Sequence, residues 1–545
     1  IGPKALGGFG GIEMWGCAPA NTWVQMLTTV NSGASAITIM GDITGWKAGD
    51  EIAIASTSYE HRHTEYVTIQ SISGNVIAIF PALEHRHTGA ATSTQTINGV
   101  DYNQAAEVTL LTRSIKIDGT DFTDDKVGGR IVIMNWVRMN GAHFYEHHGY
   151  GQFSNVQFTG MGQYAYTSYD DNRAAIMFWG IDTTADETLG RKESFVKGCA
   201  FHDLYHTAVA ALFDTNNLVI DNNIIMGIVD DAIRSDGVGT VITNNVIGNV
   251  EATALYKGAF ASGTNVNFEE DQLPSCVNIM GATDTTLTGN RCTGTDGSCY
   301  QTDGETCDVS EMCGFTTNGY SFSNNVGHSC AIGHWNLFSG SGCAKYAGYY
   351  FYKIAYYGFQ WQSNIDYNIV EDSVVIVAKV GFYGVSIGIG PDKRNTIKNT
   401  YFAGKSDFFD CSYDADVHAS MELSKHAGSL KPSIVSGTQH AAVLFPDFHQ
   451  GSTGFPICEI YAADVDPNNH GLTCMLDCHF ADYNRKCGEK DVLFRTNKKT
   501  MDWTFPIQLL GGNQKTNVNK DDLVQYDRPP IDAVNIADCV DLHAD

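Results

Sequence analysis

The asparagine pairs in IDNNII (residues 220–225) and ITNNVI (residues 242–247) indicate the fold class of this sequence. The same order of residue types also occurs in VKGCAF (196–201), FSNNVG (322–327), VEDSVV (370–375) and IKNTYF (397–402). Three of these stretches begin at residues 196, 220 and 242, so they are 24 and 22 residues apart, a spacing typical of one coil of a β-solenoid. Asparagine tolerates left-handed backbone and can stack from coil to coil, which suits short β-branched strands separated by sharp turns. The sequence therefore predicts an all-β fold, a right-handed parallel β-helix.

The composition excludes several classes of protein. The chain has 545 residues, of which 43% are hydrophobic and 17% are charged, so it can bury a large core. A formal net charge of −27 repels the phosphates of nucleic acids, so nucleic acid is not an expected partner. The sequence contains no apolar run of ~18 residues or more, so no membrane span is expected within it.

The cysteines indicate an oxidising environment. There are 15, concentrated between Cys276 and Cys343 and between Cys458 and Cys487, without the paired spacing of a zinc module. Disulfides in an extracellular or cell-surface protein fit this pattern. We expect them to staple two loops inserted into the coils, at residues 258–274 and 293–319. The odd total leaves at least one thiol unpaired or bonded to another chain.

Three domains are predicted. Residues 1–105 form a β-rich domain with strands such as EIAIAS (51–56), and this domain is expected to cap the open first coil. Residues 106–440 form the β-helix with its inserted loops. Residues 441–545 form the last coils and a C-terminal cap.

Several motifs in the same order resemble one family. GWKAGDEIAIASTSYE (45–60) followed by AEVTLLTRSIKIDG (106–119) resembles the junction of the eight-glycine domain and the β-helix in fibrocystin and fibrocystin-L. GQYAYTSYDDNR (162–173) and ADCVDL (537–542) favour the fibrocystin-L branch. The resemblance implies an extracellular segment of a large surface protein. The chain begins at Ile1 without a methionine or signal peptide, and in that family it continues past ADCVDL, so we expect a processed or partial chain.

The cell-surface hyaluronidases share this module, and the sequence differs from them at their histidines. That branch carries an H-x-H pair where this chain has IMFW (176–179), and a later histidine where this chain has Leu212. Apolar side chains cannot transfer protons or bind a cation. The resemblance therefore implies a protein without hyaluronidase chemistry, a structural or adhesive unit of a surface coat or filamentous appendage.

The repeated motif EHRHT is a candidate metal site. It occurs at residues 60–64 and 84–88. On paired strands its imidazoles would share a face and could bind zinc or copper, because strand side chains alternate with a period of two. The candidate ligands are His61, His63, His85 and His87, with Glu60, Glu65 and Glu84 near them. The alternative is a set of polar positions near strand ends in a hairpin, and then no cofactor is expected.

Two further groups are metal candidates. His143, His147 and His148 form a second histidine group, although the adjacent pair would face opposite ways on a strand. Glu269, Glu270 and Asp271 could bind calcium from a loop, or could simply be solvated.

The segment VDDAIRSDG (229–237) is the candidate catalytic constellation. Asp230, Asp231 and Arg234 resemble in type the Asp pairs of β-helix hydrolases, in which one carboxyl is protonated and another activates water. DTN (214–216) and GHS (327–329) are weakly similar to other motifs of those enzymes. This alternative predicts a polysaccharide-active enzyme, hydrolase or lyase. The other interpretation is a set of polar turn residues neutralised by the arginine.

A tyrosine-rich stretch, YAGYYFYKIAYYGFQW (346–361), is a candidate interaction surface. The residues proposed to stack on sugars or on another protein are Tyr349, Tyr350, Tyr356, Tyr357 and Trp361. The alternative is stacking inside or along the wall of the solenoid. Flat β-helix faces also make lateral or end-to-end self-association an expectation, with glycans as further possible partners.

Overall fold

The computed structural model describes residues 4–120, 126–164, 173–252, 273–302, 307–311, 314–317, 321–337, 343–363, 367–386, 394–406, 408–420, 439–445, 472–496, 507–509, 512–519 and 524–525. Within these residues the chain is almost entirely β-structure, with one short α-helix.

The N-terminal strands belong to two different units. Their bounds are β1 (Ala5–Gly8), β2 (Gly11–Trp15), β3 (Trp23–Met26), β4 (Ala36–Met40), β5 (Glu51–Ile54), β6 (Glu65–Ser73), β7 (Val76–Phe80), β8 (Thr94–Ile97), β9 (Val100–Asn103) and β10 (Glu107–Leu110), with 3-10 turns at His61–His63 and Ala90–Thr92. Strands β3, β4, β5, β6, β7 and β10 close into an antiparallel barrel, and β8 and β9 form a hairpin.

The first half of the solenoid contains β11 (Ile115–Asp118), β12 (Arg130–Met134), β13 (Trp136–Asn140), β14 (His143–His147), β15 (Tyr150–Ser154), β16 (Val156–Thr159), β17 (Ile176–Trp179), β18 (Phe195–Lys197), β19 (Ala200–His202), β20 (Val209–Leu212), β21 (Val219–Asp221), β22 (Ile224–Val229), β23 (Ile233–Ser235), β24 (Val241–Thr243), β25 (Val246–Glu251), β26 (Ser275–Asn278), β27 (Thr286–Thr288), β28 (Arg291–Cys292) and β29 (Thr295–Thr302).

The second half contains β30 (Cys307–Glu311), β31 (Gly314–Thr317), β32 (Ser321–Ser323), β33 (Asn325–His328), β34 (Cys330–Leu337), β35 (Cys343–Ala347), β36 (Tyr349–Tyr352), β37 (Tyr357–Ser363), β38 (Tyr367–Glu371), β39 (Val374–Ile376), β40 (Val380–Ser386), β41 (Arg394–Lys398), β42 (Tyr401–Ala403), α1 (Tyr413–Ser420), β43 (Ala441–Phe445), β44 (Leu472–Leu476), β45 (His479–Ala481), β46 (Val492–Thr496), β47 (Ile507–Leu509), β48 (Gln514–Thr516) and β49 (Val524–Gln525).

Three parallel sheets form the sides of the solenoid. Sheet 1 runs from β2 through β15, β18, β21, β24 and β27 to β32, and then from β35 through β38, β41 and β44 to β47. Sheet 2 contains β11, β16, β19, β22, β25, β28, β33, β36, β39, β42, β45 and β48. Sheet 3 contains β1, β12, β17, β20, β23, β26, β29, β34, β37, β40, β43, β46 and β49. The chain visits the sheets in this order once per coil, which confirms the parallel β-helix, right-handed as such crossovers almost always are.

The turn between sheets 1 and 2 explains the repeated asparagine pairs. The first asparagine of each pair has left-handed backbone, with φ of 55° at Asn222, 56° at Asn244 and 55° at Asn324. Asparagine adopts this conformation at less cost than most other residues, because its short polar side chain can hydrogen-bond locally. The chain therefore bends sharply at the same point of successive coils.

The second asparagine of each pair forms the predicted ladder. Asn223 Nδ2 donates to Asn245 Oδ1 at 2.9 Å, and Asn245 Nδ2 donates to Asn290 Oδ1 at 2.9 Å. Asn290 Nδ2 then donates to Asn325 Oδ1 at 3.2 Å. All four side chains are buried, so the ladder satisfies polar groups that water cannot reach.

Disulfides cross the interior of the solenoid. Cys276 pairs with Cys292, and Cys299 pairs with Cys330, all within the buried core. A third bond, Cys411 to Cys487, joins the segment before α1 to the coil of β46. The predicted disulfides are thus present.

The predicted inserted loops differ from the structure. Residues 295–302 of the predicted loop 293–319 form β29, a fully buried strand of sheet 3. The cysteines made this segment resemble a stapled loop, but their side chains fill the core. The chain leaves the coil later, at the β30–β31 hairpin. Most of the other predicted loop, 258–274, lies outside the described residues.

The barrel lies along the side of the solenoid. Tyr59 Oη donates to the Val377 carbonyl at 3.0 Å, and Arg113 Nε, just after the barrel, donates to the Gly198 carbonyl at 2.9 Å. These contacts span many coils, and Tyr102 packs on Tyr350 of sheet 2 with ring centroids 4.9 Å apart. The expectation that this domain caps the first coil is therefore wrong: it covers the outer face of sheet 2.

The domain limits follow from the strand pairing. Strands β1 and β2 pair with solenoid strands β12 and β15, so the chain begins in the solenoid, leaves it to form the barrel and then returns. The barrel closes through β10, which lies beyond the predicted boundary at residue 105. Strands β43 to β49 continue sheets 1 to 3, and the last described strand ends at Gln525. No helix in the described part of the chain is long and apolar enough to cross a bilayer.

Candidate functional site

A buried charge cluster joins the barrel to the solenoid. Glu107 on β10 is fully buried, and Arg291 Nε of β28 donates to its Oε1 at 2.6 Å. His328 Nε2 of β33 lies 3.1 Å from Glu107 Oε2. Burial alone would raise the pKa of Glu107, but the neighbouring Arg291 and His328 overcome this effect and hold the pKa at about 2. Glu107 is thus an ionised carboxylate that binds two coils of sheet 2 to the barrel.

The first EHRHT motif forms a second contact of the same kind. Arg62 Nη2 donates to both carboxylate oxygens of Asp296, at 3.0 and 3.1 Å, and Asp296 is fully buried on β29. His61 lies between two acids, with Nδ1 3.3 Å from Glu60 Oε1 and Nε2 3.8 Å from Asp296 Oδ1. This motif therefore docks the barrel onto the solenoid.

The four predicted histidine ligands do not converge on one point. His63 and His85 stack with ring centroids 3.8 Å apart, and His63 Nδ1 lies 2.9 Å from Ser58 Oγ. Burial, followed by the charges of His85 and His87, lowers the pKa of His63 to about 4. Both ring nitrogens of His87 have hydrogen-bond partners.

The partners of His87 lie within and next to the barrel strands. Its Nε2 lies 2.7 Å from Glu65 Oε2, and its Nδ1 lies 2.9 Å from the Ala55 carbonyl oxygen. The prediction assumed two paired strands, but His61–His63 is a 3-10 turn, so alternation with a period of two does not apply. Across the described residues, the compact group with metal-ligand chemistry is Cys292, Cys299 and Cys330, whose sulfurs are in disulfides.

The second histidine group lies on and beside an exposed hairpin strand. His143 and His147 lie on the exposed strand β14, and His147 stacks on Trp136 at 5.4 Å between ring centroids. His148 Nε2 lies 3.7 Å from Glu146 Oε2. The acidic residues 269–271 lie outside the described residues.

The predicted catalytic residues are buried where the chain enters β23. Asp231 Oδ1 accepts a hydrogen bond from the Ser275 backbone N–H at 2.8 Å, and its Oδ2 accepts one from Asn278 Nδ2 at 2.8 Å. Both carboxylate oxygens are therefore bound to the next coil. This arrangement gives Asp231 a structural task, because it links its own coil to the next one.

Asp230 lies in a different environment. Its backbone is left-handed, with φ of 70°, and its Oδ2 lies 3.5 Å from His206 Nε2. Burial raises the pKa of Asp230 to about 6, against the opposing charge of Arg234. Burial also raises the pKa of Asp236, which accepts a hydrogen bond from the Phe213 backbone N–H at 3.1 Å. The structure thus places a carboxyl with a raised pKa beside one whose two oxygens both accept hydrogen bonds.

His206 also belongs to this cluster, although the sequence gives no sign of it. It lies in HDLYHTAVA, one coil before Asp230, and nothing in its spacing distinguished it from a buried core histidine. The histidine of GHS, which the sequence had linked to the acids, lies on sheet 2 against Glu107 instead. Asp214 of DTN is exposed. The three motifs do not form one site.

The predicted stacking residues are all buried. Tyr349 and Trp361 lie in the solenoid core. Tyr350, Tyr356 and Tyr357 pack in a separate cluster with barrel and α1 residues. They offer no exposed platform for a sugar, and the alternative interpretation, stacking inside and along the wall, describes their positions.

The positions that differ from the hyaluronidase pattern form an apolar surface of sheet 3. Met177 and Leu212 belong to one buried cluster with Val132, Ala174 and Ala210. Trp179 stacks on Phe213 beside it, with centroids 4.3 Å apart. Met177 and Leu212, the described side chains at these two positions, have no group that could transfer a proton.

The fold and these contacts define a three-sided parallel β-helix with a β-barrel held along one side by buried ion pairs. The chain is related in sequence to the fibrocystin family over its whole length, which confirms the resemblance inferred from its motifs. It is 28% identical to fibrocystin-L of Mus musculus over 563 aligned residues, covering 100% of this chain and 12% of that protein. It is 24% identical to fibrocystin of Mus musculus, covering 93% of this chain and 11% of that protein.

The remaining similarities cover less of the chain or are weaker. A G8 domain-containing protein of Dictyostelium discoideum is 26% identical over 50% of this chain and 16% of its own length. No family model matches the chain. Among solved structures, the catalytic domain of a GH87 alpha-1,3-glucanase aligns with a TM-score of 0.40 and 7% identity, covering 93% of this chain and 96% of that one. The tailspike protein gp49 of Pseudomonas phage LKA1 aligns with a TM-score of 0.16 and 10% identity, covering 92% and 61%.

Proposed function

We propose that this chain is an extracellular, non-catalytic structural or adhesive unit of a cell-surface coat or filamentous appendage. The chain spans only 12% of fibrocystin-L and 11% of fibrocystin, the relatives that it matches. The unit is therefore proposed as a rigid module. Disulfides through the core support an extracellular location.

The observation that carries this proposal is the use made of the ionisable groups. Glu107, Arg291 and His328 bind the barrel to sheet 2. Arg62 and Asp296 bind the segment after β5 to β29 of sheet 3. Breaking one partner of such a buried pair leaves an unpaired buried charge, which is strongly unfavourable. These contacts favour one stiff body, a property suited to a structural unit.

A polysaccharide-turnover assay tests the proposal. The purified chain is incubated with a panel of neutral and acidic polysaccharides, and new reducing ends are measured against an unincubated blank. The assay is run between about pH 4 and pH 6.5, the ordinary pKa values of carboxyl groups and histidine. We expect no reducing ends above the blank for any polymer in this range. Sustained release of reducing ends would overturn the non-catalytic proposal.

The second candidate function is a polysaccharide hydrolase centred on Asp230 and Asp231. The observation that favours it is the pKa of Asp230, raised to about 6, next to an Asp231 held by two hydrogen bonds. A carboxyl whose pKa is raised towards neutrality and that lies beside a second carboxyl is a common arrangement of a general acid and its partner. In this candidate Asp230 donates the proton to the leaving oxygen, and Asp231 acts as the base.

Two variants separate this candidate from a contaminating activity. Asp230→Asn should abolish any reducing-end release if Asp230 is the acid. Asp214→Asn is the matched control, because Asp214 is an exposed acid of the preceding coil. Release that survives Asp230→Asn would exclude this site as its source.

A further inference from the structure

Two lysine–aspartate pairs are buried where the chain passes from sheet 2 to sheet 3. Lys405 Nζ lies 2.6 Å from Asp491 Oδ1, and neither side chain is exposed. Lys353 Nζ lies 2.8 Å from Asp414 Oδ1, with exposed fractions of 6% and 0%. Burying two charges often costs more than their mutual attraction returns. Neither pair belongs to the Glu107 contact or to the Asp230 cluster.

The stacking of two coils brings Lys405 and Asp491 together. Lys405 follows β42 of sheet 2, and Asp491 precedes β46 of sheet 3 in the next coil. The backbone fixes this register, because β43 pairs with β46 and the Val492 N–H donates to the His440 carbonyl at 3.0 Å. Two side chains 86 residues apart in sequence are thus held in contact by paired strands.

The two carboxyl oxygens of Asp491 have different environments. Oδ1 accepts hydrogen bonds from Lys405 Nζ at 2.6 Å and from the His440 backbone N–H at 2.9 Å. Oδ2 is buried and has no hydrogen-bond partner within the described part of the chain. Burial raises the pKa of Asp491 to about 6, although the charge of Lys405 opposes this effect. A dry environment favours a neutral acid and a neutral amine over two charges.

A neutral amine in contact with a neutral carboxylic acid is the starting state of amide formation. The lone pair of Lys405 Nζ forms a bond to Asp491 Cγ, and the bond from Cγ to Oδ2 breaks. Oδ2 leaves as water with its own proton and one proton of the amine, so no oxidant or reductant is needed. Desolvated lysine amines are nucleophiles, and a fixed geometry removes the entropy cost of bringing the two groups together.

The surroundings of the pair assist this step. The His440 backbone N–H donates to Oδ1, the oxygen on which negative charge develops in the tetrahedral intermediate. Burial first, and then the charges of Lys379 and Lys405, lower the pKa of His440 well below its ordinary value, so its imidazole is neutral and can accept a proton. Phe409 packs edge-on against this imidazole, 5.4 Å between ring centroids, and helps to exclude water that would hydrolyse the product.

We propose that Lys405 and Asp491 condense, with loss of one water molecule, into an isopeptide bond that cross-links two successive coils. The second pair provides the contrast. Asp414 Oδ1 accepts from Lys353 Nζ, and Asp414 Oδ2 accepts the Asp410 backbone N–H at 2.9 Å. Both oxygens are held as acceptors, so neither takes up a proton and leaves, and this pair stays ionic. The cross-link goes beyond the proposed structural function, because a chain with either candidate function can carry it.

Tryptic peptide mapping of the purified, folded chain tests the bond. Without the bond, trypsin releases residues 399–405 and residues 491–495 as separate peptides. With the bond, trypsin cannot cleave after Lys405, and residues 399–425 are joined to residues 491–495. We expect this linked peptide after reduction of the disulfides, with a mass one water molecule below the sum of its two parts. Fragmentation by tandem mass spectrometry locates the branch at the two side chains.

A disulfide identifies the chains in which these coils are natively stacked. Cys411 and Cys487 lie in the same two coils as Lys405 and Asp491, and their bond is detected in the digest before reduction. A wild-type chain that contains this disulfide but releases separate 399–405 and 491–495 peptides would overturn the proposal and leave an ion pair only.

Two matched variants assign the bond to its residues. Lys405→Arg keeps the positive charge beside Asp491, but a guanidinium stays protonated and does not attack a carboxyl, so the linked peptide should be lost. Lys353→Arg makes the same change in the other pair and should leave the linked peptide in place. A cross-link between Lys353 and Asp414, or a linked peptide that survives Lys405→Arg, would also overturn the proposal.

Discussion

Asn223 and Asn245 occupy the same position in successive coils, and Asn223 Nδ2 donates to Asn245 Oδ1 at 2.9 Å. The same oxygen accepts the Asn223 backbone N–H at 2.9 Å, and Asn245 Nδ2 also donates to the Ile220 carbonyl at 3.0 Å. The Asn245 amide thus bonds the turn of the coil before it and, through Asn290 Oδ1, the asparagine of the coil after it. The ladder is therefore a cooperative element of the fold.

The ladder predicts a large cost for removing one amide. Asn245→Ala leaves buried donors and acceptors on both neighbouring coils unsatisfied, and we expect a loss of about 2–4 kcal/mol in stability. Chemical denaturation followed by circular dichroism measures it. Asn75→Ala, at an exposed barrel turn, is the control and should change stability by less than about 0.5 kcal/mol. Equal effects of the two substitutions would contradict a structural role for the ladder.

The Glu107 contact predicts that one substitution loosens the barrel. Glu107→Gln removes the charge that Arg291 and His328 face, and we expect a cost of about 3–5 kcal/mol. Limited proteolysis should then cleave between the barrel and the solenoid. The double variant Glu107→Leu, Arg291→Met should recover part of the loss, because no buried charge remains unpaired.

An exposed pair is the control for this experiment. Lys116 Nζ lies 3.8 Å from Asp118 Oδ2, and both side chains are about half exposed. Lys116→Ala should therefore have almost no effect on proteolysis. A Glu107→Gln chain as resistant as the wild type would show that the barrel is held by other contacts.

Acid should destabilise the chain in two overlapping ranges. The pKa of Glu107 is lowered from 4.5 to about 2. The ionised carboxylate therefore stabilises the folded chain fully above pH 4.5, and this stabilisation is lost as the pH falls from 4.5 towards 2. Burial lowers the pKa of His334 from 6.5 to about 3. Between these two values the unfolded chain binds a proton that the folded chain does not, so stability falls on acidification from 6.5 downwards.

The histidine contribution can be isolated. In His334→Gln the pH dependence of stability between 6.5 and 4.5 should decrease by up to about 1.4 kcal/mol per pH unit, the value for one proton. His143→Gln is the matched control, because His143 is exposed on β14. Denaturation midpoints measured across this pH range give the slopes, and identical slopes for wild type and His334→Gln would contradict the assignment.

The cysteine arrangement predicts a specific peptide map. Non-reducing digestion followed by mass spectrometry should find Cys276 linked to Cys292, Cys299 linked to Cys330, and Cys411 linked to Cys487. The Sγ atoms of Cys292 and Cys330 lie 3.5 Å apart, so a Cys292–Cys330 link is the exchange product to look for. Finding that link as the main species would contradict the pairing described here.

The solenoid could be predicted because its signal is local and repeated. Asn222, Asn223, Asn244 and Asn245 each show the turn chemistry in sequence, and the ladder follows from stacking identical coils. The strands of the barrel were visible for the same reason, as alternation of apolar residues. The disulfides were expected from composition, although their place inside the core was not.

The packing of the barrel along the side of the solenoid could not be predicted, because it depends on contacts between residues far apart in the chain. Nothing near Glu107 indicates that it faces Arg291, and nothing in EHRHT indicates that Arg62 reaches Asp296. The same limit applied to His206, which reaches Asp230 only once the coils stack. The assumption that the first EHRHT motif forms a strand was wrong for a local reason, since Glu60 caps a 3-10 turn there.

The central claim is that buried ion pairs hold the barrel on sheet 2 as one stiff body. Hydrogen exchange at peptide resolution tests it most directly, with wild type and Glu107→Gln compared under identical conditions. The account predicts slow exchange in β10 and in the sheet 2 strands β28 and β33 of the wild type, and faster exchange in all three in the variant. Fast exchange of β28 and β33 in the wild type, or no change in the variant, would contradict it.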